Sequence, residues 1–248
     1  MSAIGGIINF NGAPVEAEML LQLGNTLQAY GPDEGFEVNQ NSIGVVYRAF
    51  HTSVESRLER QPLVSLNGCV LAWDGRLDNR EDLITPLHDE LRNDYSDSSI
   101  VMKAYQKWGS SFPRRIIGDF AFSLWDPNFK TLFLARDPVG ARLLFYYVDK
   151  NKLIWSSRLE ALLEFPDLEL EIDDEYIAGY LSLHPGEGLT PYKNIHAVPP
   201  AHLLIVRDGK VRCQRFWGLN PDKEIRYRTD HEYEEHFLDL FSEAIRTR

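Results

Sequence analysis

The chain has 248 residues, 44% of them hydrophobic, enough to bury one large core or two small ones. A formal charge of −11 and a pI near 5.1 argue against nucleic-acid binding, which favours a basic face. There is no run of about 18 apolar residues and no secretory leader, so the sequence predicts a soluble, cytoplasmic protein without a membrane partner.

Short apolar or alternating runs predict strands at 3–10, 42–50, 69–73, 120–126, 131–136, 144–149 and 153–156. Two helices interrupt them. Residues 80–92 place Leu83, Leu87 and Leu91 on one stripe, and 98–108 place Val101, Ala104, Tyr105 and Trp108 on another. Asp126-Pro127-Asn128 and Asp149-Lys150-Asn151 are turn residues, which makes the strands they join antiparallel hairpins. A further hairpin pairs 203–206 with 211–216 across Arg207-Asp208-Gly209-Lys210. Runs of strands and helices without βαβ alternation predict the α+β class.

Thr229-Asp230-His231-Glu232 is a capping box opening a C-terminal helix. Tyr233, Phe237, Leu240, Phe241, Ala244 and Ile245 share one face of it, which implies a partner: this domain's own sheets or a further domain. Cys69 and Cys213 fall in predicted strands and read as free core thiols in a reducing compartment. The histidines show no ligand spacing, so no metal site is expected.

Several motifs occur in order. Met1-Ser2-Ala3-Ile4-Gly5-Gly6-Ile7 opens the chain, and Tyr30-Gly31-Pro32-Asp33-Glu34-Gly35 follows. Next come Trp73-Asp74-Gly75-Arg76-Leu77-Asp78-Asn79 and Gly118-Asp119-Phe120-Ala121-Phe122-Ser123-Leu124-Trp125-Asp126. Ala135-Arg136-Asp137-Pro138-Val139-Gly140 with Tyr146-Tyr147 comes after them, and Thr190 with Val198-Pro199-Pro200-Ala201-His202 ends the series. Together they resemble the class II glutamine amidotransferases of the asparagine synthetase superfamily, with Tyr30 where arginine is usual. The resemblance implies a four-layer αββα sandwich of two antiparallel sheets, the N-terminal-nucleophile (Ntn) hydrolase fold. Residues 1–217 would form the glutamine-amidotransferase-like domain, and 218–248 a linker and first helix leading to a missing C-terminal synthetase domain. Gln61-Pro62-Leu63-Val64 and residues 74–83 further resemble the lasso-peptide cyclases of that superfamily.

The resemblance also implies a site. After removal of Met1, the nucleophile position is Ser2, where the family carries cysteine. A serine must be deprotonated in step with attack, whereas a thiol is already partly thiolate. Arg48 matches the arginine that grips the glutamine α-carboxylate, Gly75 a backbone oxyanion donor, and Asp97 the carboxylate for the α-ammonium. From the residues alone, Arg48 reads equally as a surface ion pair, Gly75 as a turn glycine and Asp97 as a helix N-cap. Asp74 replaces the asparagine whose side-chain N–H would stabilise the oxyanion, a loss of roughly 3–4 kcal/mol. Arg76 replaces a glutamate expected near the substrate ammonium. Asp74 and Arg76 lie two apart and are expected to pair with each other on one strand face.

The implied protein is the N-terminal domain of an ATP-dependent amide-forming ligase whose glutaminase is silent, akin to a lasso-peptide cyclase. ATP and Mg belong to the missing synthetase domain, because no Ser-Gly-Gly-x-Asp-Ser or Gly-x-x-x-x-Gly-Lys-[Ser/Thr] loop occurs here. A precursor peptide is the expected further partner, and the oligomeric state stays open. Two alternatives remain: a glutamine-hydrolysing asparagine synthetase with Ser2 as nucleophile, and a stand-alone, non-catalytic binding module.

Overall fold

The computed structural model describes residues 2–52 and 55–247. Its twelve strands are β1 (Ala3–Asn9), β2 (Glu34–Gln40), β3 (Ile43–Ala49), β4 (Leu63–Val64), β5 (Val70–Leu77), β6 (Gly118–Asp126), β7 (Thr131–Arg136), β8 (Phe145–Val148), β9 (Lys152–Ser156), β10 (Ile195–Ala197), β11 (His202–Arg207) and β12 (Lys210–Arg215). The α-helices are α1 (Ala17–Leu27), α2 (Arg80–Leu91), α3 (Asp97–Trp108), α4 (Leu159–Leu163), α5 (Asp174–Leu181) and α6 (Asp230–Arg246).

The strands make two antiparallel six-stranded sheets, ordered β10-β8-β9-β1-β3-β2 and β12-β11-β7-β6-β5-β4. Alternation along each strand divides the core into three layers. Between the sheets lie Ile4, Ile8, Val45, Tyr47, Val70, Ala72, Leu134 and Trp155. Outside the first sheet, Ala3, Ile7, Val46 and Ile154 meet Leu20, Leu23 and Leu27 of α1 and Ala161 and Leu162 of α4. Outside the second, Leu71, Trp73, Phe120 and Phe122 meet Leu83, Leu87 and Leu91 of α2 and Ile100, Val101 and Ala104 of α3. The chain is thus α+β, with helix, sheet, sheet and helix stacked as layers.

Several elements depart from the sequence reading. Helix α1 was absent from it: Glu16, its N-cap, makes no side-chain capping bond, and Gly24 lowers helix propensity in its middle. A Cβ at Gly24 would lie 2.0 Å from Arg48 Nη2, so a larger residue there would displace the Arg48 side chain. Strand β2 is exposed along most of its length and lacks the alternation that marks a half-buried strand. Strand β5 runs four residues beyond the expected end at Trp73, so Asp74, Gly75 and Arg76 lie inside it. The hairpin of β11 and β12 turns on Asp208 (φ 50°) and Gly209 (φ 72°), both left-handed as a two-residue turn between twisted strands demands. Cys69 is buried beside β5, but Cys213 is exposed, because β12 is the outermost strand of its sheet and the core does not reach its sulfur. Helix α6 has the expected capping box but buries no residue against the sheets. None of the helices among the described residues is long and apolar enough to cross a membrane.

Candidate functional site

Strand alternation sends Ser2, like Ile4 and Ile8, toward the space between the sheets. There its Oγ lies 2.9 Å from the Tyr47 hydroxyl and accepts a hydrogen bond from the Phe50 N–H at 3.1 Å. Burial raises the Tyr47 phenol well above its ordinary range, so it stays protonated at neutral pH. Met1, whose removal the N-terminal nucleophile scheme requires, lies outside the described residues.

Asp74 reaches the same space from β5 and is 6% exposed. Its carboxylate faces Arg142 Nη1 at 3.7 Å. Burial pushes the Asp74 carboxyl up, and the Arg142 guanidinium is the leading charge that opposes it. The expected pairing of Asp74 with Arg76 is not formed. The Arg76 side chain turns along the strand instead, its Nε donating to Asp78 at 2.7 Å and its Nη2 lying 3.8 Å from Asp119.

Gly75 sits at an open sheet edge, because β4 pairs only with Val70 and Leu71 of β5. The N–H of Trp73 leaves the sheet toward Gln61 Oε1 at 2.7 Å, and that of Leu77 toward Asp97 Oδ2 at 2.9 Å. Residues two apart on a strand direct their N–H groups to the same edge, so the Gly75 N–H points out between those two acceptors. This is the direction a backbone oxyanion donor needs.

Asp97 also pairs with Arg80, and its own N–H donates to Glu59 Oε1 at 2.7 Å. It is not the N-cap of α3. That residue is Ser96, whose hydroxyl accepts from the Ser99 N–H at 3.3 Å. Glu59 is half-buried, and that desolvation pushes its carboxyl up; it also accepts from the Gln61 amide at 3.0 Å.

Arg48 does not join this group. It follows Tyr47 on β3 and therefore faces the opposite side of the sheet. Its Nε donates to the Gly24 carbonyl at 3.0 Å, Nη1 to the Tyr47 carbonyl at 3.2 Å, and Nη2 pairs with Glu37 at 2.7 Å. It does make an ion pair, but a buried one rather than the surface pair read from the residues alone.

Tyr47, Arg142, Arg158 and Glu59 were not singled out from sequence, and Gln61 only within the Gln61-Pro62-Leu63-Val64 motif, without a role at the site. Arg142 is delivered by a loop wound around the Asp137 carboxylate. That carboxylate accepts the N–H groups of Phe120, Val139, Ala141 and Arg142 at 3.3, 3.1, 3.0 and 3.0 Å. Arg136 ties the same loop through the carbonyls of Arg142, Gly140 and Val198 at 2.5, 2.8 and 2.7 Å. Arg158 lies 4.2 Å above the ring of Tyr30, the position where arginine is usual in the family. A separate cavity of about 760 Å³ lies toward the other end of the second sheet, among Leu63, Leu66, Leu91, Met102 and Phe129, away from Ser2.

Residues 1–217 match the family model of the glutamine amidotransferase domain. "Asparagine synthetase [glutamine-hydrolyzing] 3" of Bacillus subtilis is 25% identical over 233 residues, covering 90% of this chain and 38% of that protein. "Amidase chry2" of Gibberella zeae is 32% identical over 158 residues, covering 62% and 23%. The glutamine phosphoribosylpyrophosphate amidotransferase of B. subtilis shares the fold, with a TM-score of 0.59, 17% identity, and coverage of 87% of this chain and 49% of that one. The chain spans well under half the length of the curated relatives it matches, 38% and 31% for the two B. subtilis asparagine synthetases.

Proposed function

Because the chain belongs to the glutamine amidotransferase domain family, we propose that it is the N-terminal domain of an ATP-dependent, amide-forming ligase related to asparagine synthetase, with a silent glutaminase cleft. The observation that carries this is Asp74. Asp74, buried and facing Arg142, takes the motif position where the family carries an asparagine donor, and its carboxylate, when ionised, opposes a developing oxyanion. Ser2 adds to the defect as the weaker nucleophile. The Gly75 N–H is left open for a glutamine, whereas Asp97 is engaged by Arg80 and the Leu77 N–H, and Arg48 by Glu37 and the Gly24 carbonyl.

In the whole protein, a synthetase domain holding ATP and Mg would activate a carboxylate. The amine that attacks it would be the substrate's own or free ammonia. An internal amine suits a cyclase acting on a precursor peptide, and the motifs shared with lasso-peptide cyclases favour that reading.

The relatives named as glutamine-hydrolysing, together with the outward-facing Gly75 N–H, favour a second reading in which Ser2 still hydrolyses glutamine. Glutamate release from glutamine separates the two, measured after mass spectrometry has confirmed loss of Met1. No release above a Ser2→Ala control is expected. Turnover above that control would establish the second reading.

A further inference from the structure

The cavity of about 760 Å³ at the other end of the second sheet takes no part in the chemistry proposed for Ser2. Its size falls in the range of roughly 300–1,000 Å³ usual for ligand sites. It is a groove, with β4, the β4–β5 loop and the β6–β7 turn on one side and α3 and the C-terminal end of α2 on the other. Leu63, Leu66, Leu91, Met102 and Phe129 give it apolar walls, of which Leu66 and Phe129 stand exposed.

The charged groups of the groove differ in what they have left to offer. Glu90 pairs with Lys107 at 3.1 Å. Asp94 accepts the Ser96 N–H, the Ser96 hydroxyl and the Ser99 hydroxyl. Asp126 accepts the Tyr105 hydroxyl and the N–H groups of Asn128 and Phe129. The two cations are far less committed. Lys103 donates to the Gln106 amide oxygen at 3.0 Å, and the Arg92 guanidinium has no hydrogen bond or ion pair among the described residues. Both are donors only, so their free positions call for carboxylates.

The groove wall also holds a free sheet edge. The Ser65 N–H turns inward to the Cys69 carbonyl at 2.9 Å, so by alternation the Leu63 N–H faces β5 as well. Val64, between them, directs its N–H and carbonyl to the outer side, and β4 is the last strand of its sheet. One residue of an extended chain can exchange both hydrogen bonds with Val64. A small acid would reach the cations but leave that backbone pair unused, whereas a peptide uses both. We propose that this groove binds an extended peptide segment carrying acidic side chains beside apolar ones. The site stands apart from the cleft around Ser2 and is independent of whether that cleft hydrolyses glutamine.

The probe is the peptide acetyl-Leu-Glu-Leu-Glu-Leu-amide, titrated into the isotope-labelled chain and followed by NMR. Saturable shifts are expected at the amides of Val64, Leu66 and Lys103, with the Val64 N–H moving downfield as it gains an acceptor. The dissociation constant should rise at least about fivefold in Arg92→Glu/Lys103→Glu, since two exposed charge pairs turn from attraction to repulsion. Neither side chain belongs to the three core layers, so the double variant keeps the fold. A similar loss is expected when glutamine replaces both glutamates of the peptide. An unchanged constant in the double variant, or no saturable shift at β4, would overturn the proposal. Octanoate serves as the small-acid control. Its binding in the groove without binding of the peptide would also overturn it.

Discussion

The carboxylate of Asp137 has no contact with solvent and takes four backbone N–H groups, from Phe120, Val139, Ala141 and Arg142. It replaces the regular hydrogen bonds that the chain gives up on leaving β7, and it fixes the direction in which Arg142 leaves the loop. A buried donor left without an acceptor costs about 1–3 kcal/mol. Asp137→Ala strands four, so a loss of at least about 3 kcal/mol is expected in urea unfolding, even if water reaches some of them. The motif Arg136-Asp137…Gly140 therefore reads as a scaffold, not as chemistry. Cys69 is inert at neutral pH for a related reason: burial first, then the Asp126 carboxylate, push its thiol up to about 11.

The N-terminal turn of α3 joins the helix layer to the β5 edge. Ser96 caps it, Glu59 accepts the Asp97 N–H, and Asp97 in turn accepts the Leu77 N–H at 2.9 Å. Asp94, just ahead, is held below the ordinary carboxylate range: burial pushes it up, but hydrogen bonds from Ser99 and Ser96 outweigh that. A depressed carboxyl contributes stability above its unfolded value of about 3.9 and loses it as pH falls through the folded one. Asp94→Asn lacks that titration. The gap between the thermal midpoints of wild type and Asp94→Asn is expected to be widest above about pH 5 and to narrow toward about pH 2.

At the scale of the whole molecule, the three core layers close without α6. That helix buries no residue, and Phe237, Leu240, Phe241 and Ile245 are 64%, 54%, 53% and 61% exposed. An apolar face of this kind on a helix of 17 residues marks an interaction surface. In the proposed ligase it would meet the synthetase domain. Removal of residues 218–248 is therefore expected to leave the unfolding midpoint of the remaining domain within a few degrees. It should also lower binding of a hydrophobic dye. A large drop in the midpoint would show that the helix stabilises the sandwich.

The sequence by itself determined what local pattern encodes. The α+β class, the stripes of α2 and α3, the hairpin at Asp208-Gly209 and the capping box at Thr229 all depend on neighbours a few residues apart. The ordered motifs named Ser2, Asp74 and Gly75 as candidate site positions, and the family resemblance added Asp97. Tertiary structure decided what each side chain meets. Arg48 and Tyr47 are adjacent in sequence, yet alternation sends one to α1 and the other to Ser2. Asp74 and Arg76 share a strand face, yet Arg142 arrives from a loop 68 residues after Asp74 to take the first, and Asp78 and Asp119 take the second. Such partners are set by the stacking of two sheets and the curl of one loop, distances that no local spacing carries.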